Sequence, residues 1–202
     1  LEHIKVLEYK NVWPEVYMPL TQENIFVKKP EYNDYIMNNK FVVFDCETTG
    51  TYETDRITEI GAAKIENGKI TQKFQVLINP EKRIPDNIVA ITSITNEMVE
   101  NCLLIKDVIK DFYKFCEDCI LVGYNVNFDM GFITRAAKES GFLFDNEFFD
   151  AMILAKQKLY LPRYRLINVV ESLNIKLDNA HRAFFDALAT AEVFLKLNEK
   201  NN

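Results

Sequence analysis

The first clear pattern in the chain is an unbroken apolar run at residues 41–44, Phe-Val-Val-Phe. Four consecutive apolar residues without polar alternation are typical of a strand that is buried on both faces. The run leads into Asp45 and Glu47, and then into a Thr-Thr-Gly turn at residues 48–50. Because side chains alternate along a strand, Asp45 and Glu47 should share one face. The pattern therefore predicts a buried strand that carries two carboxylates at its carboxyl end.

Two more β-like runs follow at residues 56–65 and 70–78, and an Asn-Gly pair at residues 67–68 separates them. An Asn-Gly pair between two such runs is a strong hairpin signal. The first three strands are therefore expected to form an antiparallel meander. Asn79-Pro80 ends the third strand, and short turns and helices are expected from Pro85 to Met98.

Helical periodicity begins after the meander. Apolar residues recur every three or four positions from Leu103 to Cys116, which predicts an amphipathic helix. A short apolar run at residues 120–123 predicts a fourth strand. The ranges expected to form further helices are 127–140, 150–158, 165–173 and 182–198. This order of elements predicts an α/β domain with a central mixed sheet of about five strands flanked by helices.

The first 40 residues show no comparable pattern. With a chain of 202 residues, one domain plus an extension is expected. Residues 1–40 are accordingly interpreted as an N-terminal extension or part of a neighbouring domain, with a polar connection at residues 28–40. Residues 41–202 are interpreted as the main domain.

Composition places the chain among ordinary globular proteins, with 48% hydrophobic and 27% charged residues. No apolar run approaches the roughly 18 residues that a membrane helix needs, so no membrane contact is expected. The sequence shows no secretory leader, so a cytoplasmic location is expected. Cys116 and Cys119 have a metal-like spacing, but two further ligands of suitable spacing are not apparent, and reduced core thiols are predicted.

The net charge of −6 is unusual for a protein that binds nucleic acid, because most such proteins neutralise phosphates with Lys and Arg. Divalent ions bound by carboxylates would reduce this charge and would themselves meet a phosphate. The net negative charge disfavours tracking along a long nucleic-acid duplex, but it permits brief capture of the end of a nucleic-acid strand.

Two further carboxylates stand where the predicted helices leave little room for a charge. Asp129 lies near the start of the helix at 127–140, on the same face as apolar residues three, four and seven positions later. Asp186 lies in the almost wholly apolar segment 183–191, five residues after His181. A buried carboxylate needs a partner or a metal ion, because an isolated buried charge is very costly.

Each of these residues also has an ordinary structural explanation. An acidic residue is favoured in a first helical turn, an acidic turn can follow a strand, and a single histidine near a helix start is often structural. The joint pattern is more specific: Asp-x-Glu after one strand, Asn-x-x-Phe-Asp after another, and His-x-x-x-x-Asp leading into the last helix. Carboxylate oxygens are the ligands that Mg²⁺ and Mn²⁺ prefer.

Together these motifs resemble those of the DEDDh 3′–5′ exonucleases, the DnaQ-like branch of the ribonuclease H-like fold, over residues 41–197. Asp45 and Glu47 match the first motif, Asp129 the second, and His181 with Asp186 the third. Within the family, Asp-x-Glu-Thr-Thr-Gly and Phe-Asp are similar to the proofreading exonuclease of bacterial DNA polymerase III, as a separate epsilon subunit or as the domain embedded in PolC-type polymerases. The embedded form is favoured, because an unassigned segment precedes the first motif and the chain does not begin with Met.

The resemblance implies two Mg²⁺ or Mn²⁺ ions about 4 Å apart that clamp the scissile phosphate. The implied direct ligands are Asp45, Glu47 and Asp186, with Asp45 bridging both ions and Asp129 acting partly through water. His181 is implied to be the general base that takes a proton from the attacking water. A nucleoside 5′-monophosphate then leaves from the 3′ end.

The residues expected to contact the substrate are Thr48, Thr49, Asn125 and Phe128. The two threonines are expected to hold the terminal nucleotide through backbone groups, while apolar side chains nearby stack on a base. Two positions depart from the family. Thr51-Tyr52 follows Thr-Thr-Gly, where the family commonly has a Leu that wedges at the terminal base, and Tyr124 stands where it often has His.

The function expected from the resemblance is removal of nucleoside 5′-monophosphates from DNA 3′ ends, as proofreading for a replicative DNA polymerase. The expected partners are the 3′ end of single-stranded DNA and the polymerase, as a neighbouring domain or subunit. Two alternatives remain at this point: an RNA-processing exoribonuclease of the same family, and an inactive interaction module of a polymerase.

Overall fold

The computed structural model describes residues 32–177 and 180–199. Most of the extension predicted at residues 1–40 therefore lies outside the described residues. Its last part is a helix, α1, at Tyr32–Asn38, and the prediction of a polar connection was wrong there. Ile36 is buried and packs with Tyr35 against the core. The helix has seven residues and is too short to be stable in isolation, so this packing stabilises it.

A five-stranded mixed sheet lies at the centre, as predicted. Its strands are β1 Lys40–Thr48, β2 Ile57–Glu66, β3 Lys69–Leu77, β4 Ile120–Gly123 and β5 Phe148–Asp150. The order is β3-β2-β1-β4-β5. The first three strands form the predicted antiparallel meander, and β4 and β5 run parallel to β1. The position of β5 was not predicted, because three residues are too few to show a period.

Helices cover both faces of the sheet. Their bounds are α2 Asp86–Thr92, α3 Asn96–Val99, α4 Ile105–Phe115, α5 Asn127–Glu139, α6 Ala151–Lys158, α7 Leu166–Ser172 and α8 Ala183–Leu197. The predicted helices are confirmed, with ends that differ by at most two residues. Among the described residues, no helix has both the length and the apolar composition needed to span a bilayer.

The alternation of side chains along β1 divides the core into two layers. Val42 and Phe44 pack with α4 and α5 on one face of the sheet. Phe41 and Val43 pack with α6, α7 and α8 on the other face. Asp45 and Glu47 continue the second series, so the strand period directs both carboxylates toward the face that α8 covers. Cys116 and Cys119 are buried free thiols, as predicted.

A glycine lets α8 approach the sheet closely. Gly61 of β2 lies opposite Asp45 of β1, and a Cβ built on it would stand 2.1 Å from the backbone nitrogen of Phe184. Any side chain at this position would therefore push the start of α8 away from the sheet. Because Gly61 has none, the first turn of α8 comes close enough to β1 to bring Asp186 to the strand's carboxylates.

Candidate metal centre

Three carboxylates from distant parts of the chain meet at the carboxyl end of β1. Oxygens of Asp45, Glu47 and Asp186 all lie within 4.8 Å of one another. The strand supplies the first two on one face, and the first turn of α8 supplies the third. The predicted convergence of the first and third motifs is therefore present in the structure.

The two oxygens of Asp186 have different surroundings. Oδ2 accepts a hydrogen bond of 3.2 Å from the backbone N–H of His181. Oδ1 is buried and has no hydrogen-bond partner among the described residues. A buried carboxylate oxygen without a partner is costly, so this atom is available for a positively charged ligand.

The fourth carboxylate stands apart from this group. Asp129 lies in the first turn of α5 and is only 3% exposed. Its Oδ1 accepts a hydrogen bond of 2.9 Å from the backbone N–H of Cys46, the residue between Asp45 and Glu47. Asp129 is therefore held beside the cluster by the backbone of β1 without joining its three convergent oxygens. The less direct role implied for Asp129 remains a prediction.

Burial raises the pKa values of all four carboxyl groups, and repulsion from nearby carboxylates adds to the effect. Burial raises the pKa of Asp45 well above its usual range, and the neighbouring carboxylates, Asp129 foremost, raise it further. Burial and Asp186 raise the pKa of Glu47 to about 8. Burial likewise raises the pKa of Asp129 to about 8, against the opposing hydrogen bond from Cys46. Burial also raises the pKa of Asp186. Carboxyl groups crowded in this way favour a cation or retain protons.

Without metal, we expect the protein to lose stability as the pH rises from about 4 through 8. Glu47 and Asp129 have folded-state pKa values of about 8, above those of an unfolded chain, so the folded state retains protons that the unfolded state has released. Each such group lowers the free energy of unfolding by up to about 1.4 kcal/mol per pH unit within this window. Thermal unfolding of the metal-free protein across the pH range measures the effect.

The same groups should release protons when Mg²⁺ or Mn²⁺ binds near pH 6, because carboxylates bind metal in their deprotonated form. Calorimetric titration in two buffers with different ionisation enthalpies measures this release. A flat stability profile in the metal-free protein, together with metal binding that releases no protons, would contradict the electrostatic description of the cluster.

The donor set fits divalent ions of the hard class. All the convergent atoms are carboxylate oxygens, which Mg²⁺ and Mn²⁺ prefer. Two oxygens bound to one Mg²⁺ at about 2.1 Å lie at most about 4.2 Å apart. The three convergent oxygens lie within 4.8 Å of one another, so small side-chain rotations would bring them to bonding distance of one ion. The unpartnered Oδ1 of Asp186 supplies a further reason to expect a cation here.

His181 lies at the edge of this cluster, just before α8. Its backbone has a φ of 64°, in the left-handed region, and its N–H points to Asp186. Its side chain is exposed. The imidazole lies near enough to Asp186 to lower the pKa of that carboxyl, against the effect of burial. The structure thus places His181 beside the carboxylates, and its role as a base remains a prediction.

Thr48 and Thr49 shape the loop that follows β1. The Thr48 hydroxyl donates to the carbonyl oxygen of Gly50 at 2.6 Å. The Thr49 hydroxyl donates to Asp55 at 2.9 Å and accepts from the backbone N–H of Arg56. The Thr49 backbone N–H donates to the Arg56 carbonyl at 2.8 Å. Thr49 is therefore engaged within its own loop, and the backbone contact expected from it would have to use its carbonyl oxygen.

Asn125 lies in the turn between β4 and α5, and Phe128 lies in the first turn of α5. Asn125 is exposed, with a φ of 63°, and its backbone N–H donates to Asp150 Oδ1 at 3.0 Å. Phe128 is half-buried, and its ring centroid lies 5.1 Å from that of Phe132. Both residues are on the segment that carries Asp129, and their contact with a substrate remains a prediction.

Sequence reasoning missed an ion pair behind the cluster. Glu59 of β2 lies opposite Glu47 of β1 and is completely buried. Both of its oxygens accept hydrogen bonds of 2.9 Å from the Arg182 guanidinium, Ala183 N–H donates at 3.1 Å, and Gln75 donates at 3.0 Å. This pair joins β2 to the residue next to His181. A lone carboxylate in the apolar run 57–63 is the same signal that pointed to Asp186, and it could have identified Glu59.

The family model described as exonuclease matches residues 42–194. The chain is 41% identical over 167 residues to the PolC-type DNA polymerase III of Caldanaerobacter subterraneus subsp. tengcongensis, covering 81% of this chain and 12% of that protein. It is 38% identical over 167 residues to the 3′-5′ exonuclease DinG of Bacillus subtilis, covering 80% of this chain and 18% of that protein. The chain thus spans less than a fifth of these relatives.

Solved structures show the same fold. Exonuclease X in complex with 5′ overhanging duplex DNA superposes with a TM-score of 0.67 at 24% identity, over 78% of this chain and 90% of that one. The E. coli exonuclease I complex with single-stranded DNA gives a TM-score of 0.68 at 21% identity, over 76% of this chain and 39% of that one. The ribonuclease H-like fold predicted from the motifs is confirmed.

Proposed function

The chain belongs to the exonuclease family, and on that premise we propose that it is a metal-dependent 3′–5′ exonuclease that removes nucleoside 5′-monophosphates from DNA 3′ ends. The observation that carries the proposal is the convergence of Asp45, Glu47 and Asp186 within 4.8 Å. An acidic cluster of this kind, whose three residues are partly exposed, suits a divalent ion that must also meet a phosphate. The similarity to DNA polymerases and to a named 3′-5′ exonuclease favours DNA as the substrate.

Within this proposal, Asp45, Glu47 and Asp186 hold two Mg²⁺ or Mn²⁺ ions, and Asp129 supports them from the side. When bound, the ions supply Lewis-acid stabilisation of the attacking and leaving oxygens in an in-line displacement. The backbone of β1 fixes the first two carboxylates, and the Cys46 N–H fixes Asp129. The Thr48–Thr49 loop, Asn125 and Phe128 border the cluster and orient the terminal nucleotide.

His181 acts as the general base that removes a proton from the attacking water. Histidine suits this task, because its side chain exchanges protons near neutral pH. The exposed side chain can reach solvent, and the N–H bond to Asp186 holds its backbone beside the carboxylates.

Replacement of His181 by Ala should lower kcat by about 10²–10⁴-fold, the usual contribution of general acid–base catalysis. The Asp186 hydrogen bond uses the backbone of residue 181, so metal affinity should change little. Single-turnover degradation of a 5′-labelled strand measures the rate, and calorimetry with Mn²⁺ measures the binding. A variant that keeps more than about a tenth of the rate would overturn the assignment of the base.

The direct test of the activity is digestion of single-stranded DNA in Mg²⁺. A 5′-labelled strand should shorten one nucleotide at a time, a 3′-labelled strand should release labelled nucleoside 5′-monophosphate, and EDTA should stop both reactions. Release from the 5′ end, or digestion that EDTA does not affect, would overturn the proposal. An RNA strand of the same sequence tests the exoribonuclease alternative in the same assay.

We further propose that the activity proofreads for a replicative DNA polymerase in the cytoplasm, with the polymerase as a neighbouring domain or subunit. The similarity to PolC-type DNA polymerase III supports this partner. Proofreading requires faster removal of an unpaired 3′ nucleotide than of a paired one. Equal rates on matched and mismatched primer ends would contradict it.

A further inference from the structure

A basic segment stands out in this acidic protein. Between Asp150 and Glu171 the chain has no acidic residue, although its net charge is −6. The same segment contains four basic residues, Lys156, Lys158, Arg163 and Arg165. It covers α6, the loop of residues 159–165 and all but the last two residues of α7. Positive charge is thus concentrated on one stretch of surface instead of being mixed with acidic residues.

The charges on this segment face solvent. Lys156, Arg163 and Arg165 are exposed and form no ion pair with any residue in the described part of the chain. Tyr160, in the same loop, is 102% exposed. A fully exposed aromatic ring beside unpaired arginines contributes nothing to the core. Such a combination is typical of single-strand nucleic-acid binding, in which cations meet phosphates and rings stack on bases.

Hydrogen bonds fix the shape of this loop and fasten it beside the acidic cluster. The Tyr164 hydroxyl donates to the Leu159 carbonyl at 2.7 Å and accepts from the Leu161 N–H at 3.1 Å, which closes the loop on itself. The Tyr124 hydroxyl donates to the Tyr164 carbonyl at 2.7 Å. Tyr124 directly precedes Asn125, at the turn that leads into the helix of Asp129. The loop is therefore bonded to the segment that forms one border of the cluster.

Asp150 strengthens this attachment. It is the N-cap of α6, and its Oδ1 accepts from the Met152 N–H at 2.8 Å as well as from the Asn125 N–H at 3.0 Å. One carboxylate thus positions both the start of the basic segment and the turn beside the cluster. The basic surface and the carboxylates have a fixed relation to each other, which a strand that spans both would require.

We propose that Tyr160, Arg163 and Arg165 form a second binding surface for the substrate, which holds the single strand a few nucleotides on the 5′ side of the scissile bond. The inference rests on the proposed exonuclease function and extends it. The arginines contact the phosphates of the strand, and Tyr160 stacks on one of its bases. The surface has no sequence preference, because phosphates and ring faces are common to all nucleotides. Its positive charge offsets the negative charge of the protein along this part of the path of the strand.

The test compares the double variant Arg163→Ala/Arg165→Ala with Lys106→Ala/Lys110→Ala, which removes the same charge from exposed positions on α4. Helix α4 packs on the opposite face of the sheet from α6 and α7. Two substrates are used: a strand of about 20 nucleotides, which can reach the proposed surface, and the p-nitrophenyl ester of thymidine 5′-monophosphate, which cannot.

The arginine variant should raise KM for the long strand about tenfold and leave kcat and KM for the ester unchanged. It should also reduce the slope of log affinity for the long strand against log salt concentration by about one for each lost phosphate contact. The lysine variant should behave as the unsubstituted protein does. Equal effects of the two double variants, or an equal rise in KM for the ester, would overturn the proposal. Tyr160→Ala should also weaken binding of the long strand, whereas Tyr160→Phe, which keeps an aromatic ring, should bind it as tightly as the unsubstituted protein does.

Binding is also measured without catalysis, by fluorescence anisotropy of the labelled strand in EDTA. This measurement separates the two proposals. If the unsubstituted protein degrades no substrate, the proposed function fails, and the anisotropy values still decide the surface. If the arginine variant binds the strand as tightly as the lysine variant does, the surface is wrong, whatever the activity.

Discussion

Replacing Asp45 by Asn is expected to lower the exonuclease rate by at least about 10³-fold and, at the same time, to raise the melting temperature of the metal-free protein. Metal ions supply several kcal/mol of transition-state stabilisation, and each 1.36 kcal/mol corresponds to a factor of ten. Asp45 lies among the convergent oxygens, and its loss would disrupt the ion site. Stability at neutral pH should rise because the raised pKa of Asp45 makes the folded protein retain a proton that the unfolded chain has released, and the neutral Asn side chain removes this cost.

The opposite signs of the two effects make this prediction specific. A substitution that merely damages the fold lowers both activity and stability. Asp111→Asn provides the control, because Asp111 is exposed on α4 and its ion pair with Lys114 is long, at 3.9 Å. It should change neither quantity measurably. An Asp45→Asn variant that retains a tenth of the rate, or that melts well below the unsubstituted protein, would contradict this account of the cluster.

Replacing Arg182 by Ala is expected to lower the free energy of unfolding by about 3 kcal/mol, which in a domain of this size corresponds to a fall of about 6–12 °C in melting temperature. Glu59 is completely buried, and Arg182 is 23% exposed. Removal of the guanidinium leaves the carboxylate with the Ala183 N–H and the Gln75 amide, but without a balancing charge. An uncompensated buried charge is among the most destabilising defects in a protein.

Two variants isolate this effect. Arg56→Ala removes an exposed pair with Glu139, whose partners are 47% and 52% exposed, and should cost less than about 1 kcal/mol. Glu59→Gln combined with Arg182→Ala removes both charges of the buried pair and should recover most of the lost stability. If Arg182→Ala and Arg56→Ala shift the thermal unfolding curve equally, the buried pair does not stabilise the start of α8.

Most of the fold could be predicted from the sequence, because its elements have clear periods. The apolar run of β1, the Asn-Gly hairpin and the repeat in α4 each depend on neighbouring residues alone. The same holds for the four carboxylates, which are conspicuous because each stands in or beside an apolar segment. The elements that were missed, α1 and β5, are short, and their stability comes from tertiary packing that no local pattern records.

The architecture behind the cluster could not be predicted in the same way. Glu59 and Arg182 are separated by 123 positions, and no period connects them. The close approach at Gly61 depends on which helix crosses that point of β2. The separate position of Asp129, bound to the Cys46 N–H, follows from the exact placement of α5 against β1. These features arise from contacts between distant segments, and only the folded arrangement reveals them.

The central claim is that Asp45, Glu47 and Asp186, supported by Asp129, hold a pair of divalent ions at the end of β1. Crystals grown with Mn²⁺ and thymidine 5′-monophosphate would test it most directly through anomalous scattering from manganese. We expect two anomalous peaks about 4 Å apart, both within bonding distance of Asp45 and both absent in Asp45→Asn. Peaks located elsewhere, or no peak beside Asp45 at saturating Mn²⁺, would contradict the claim.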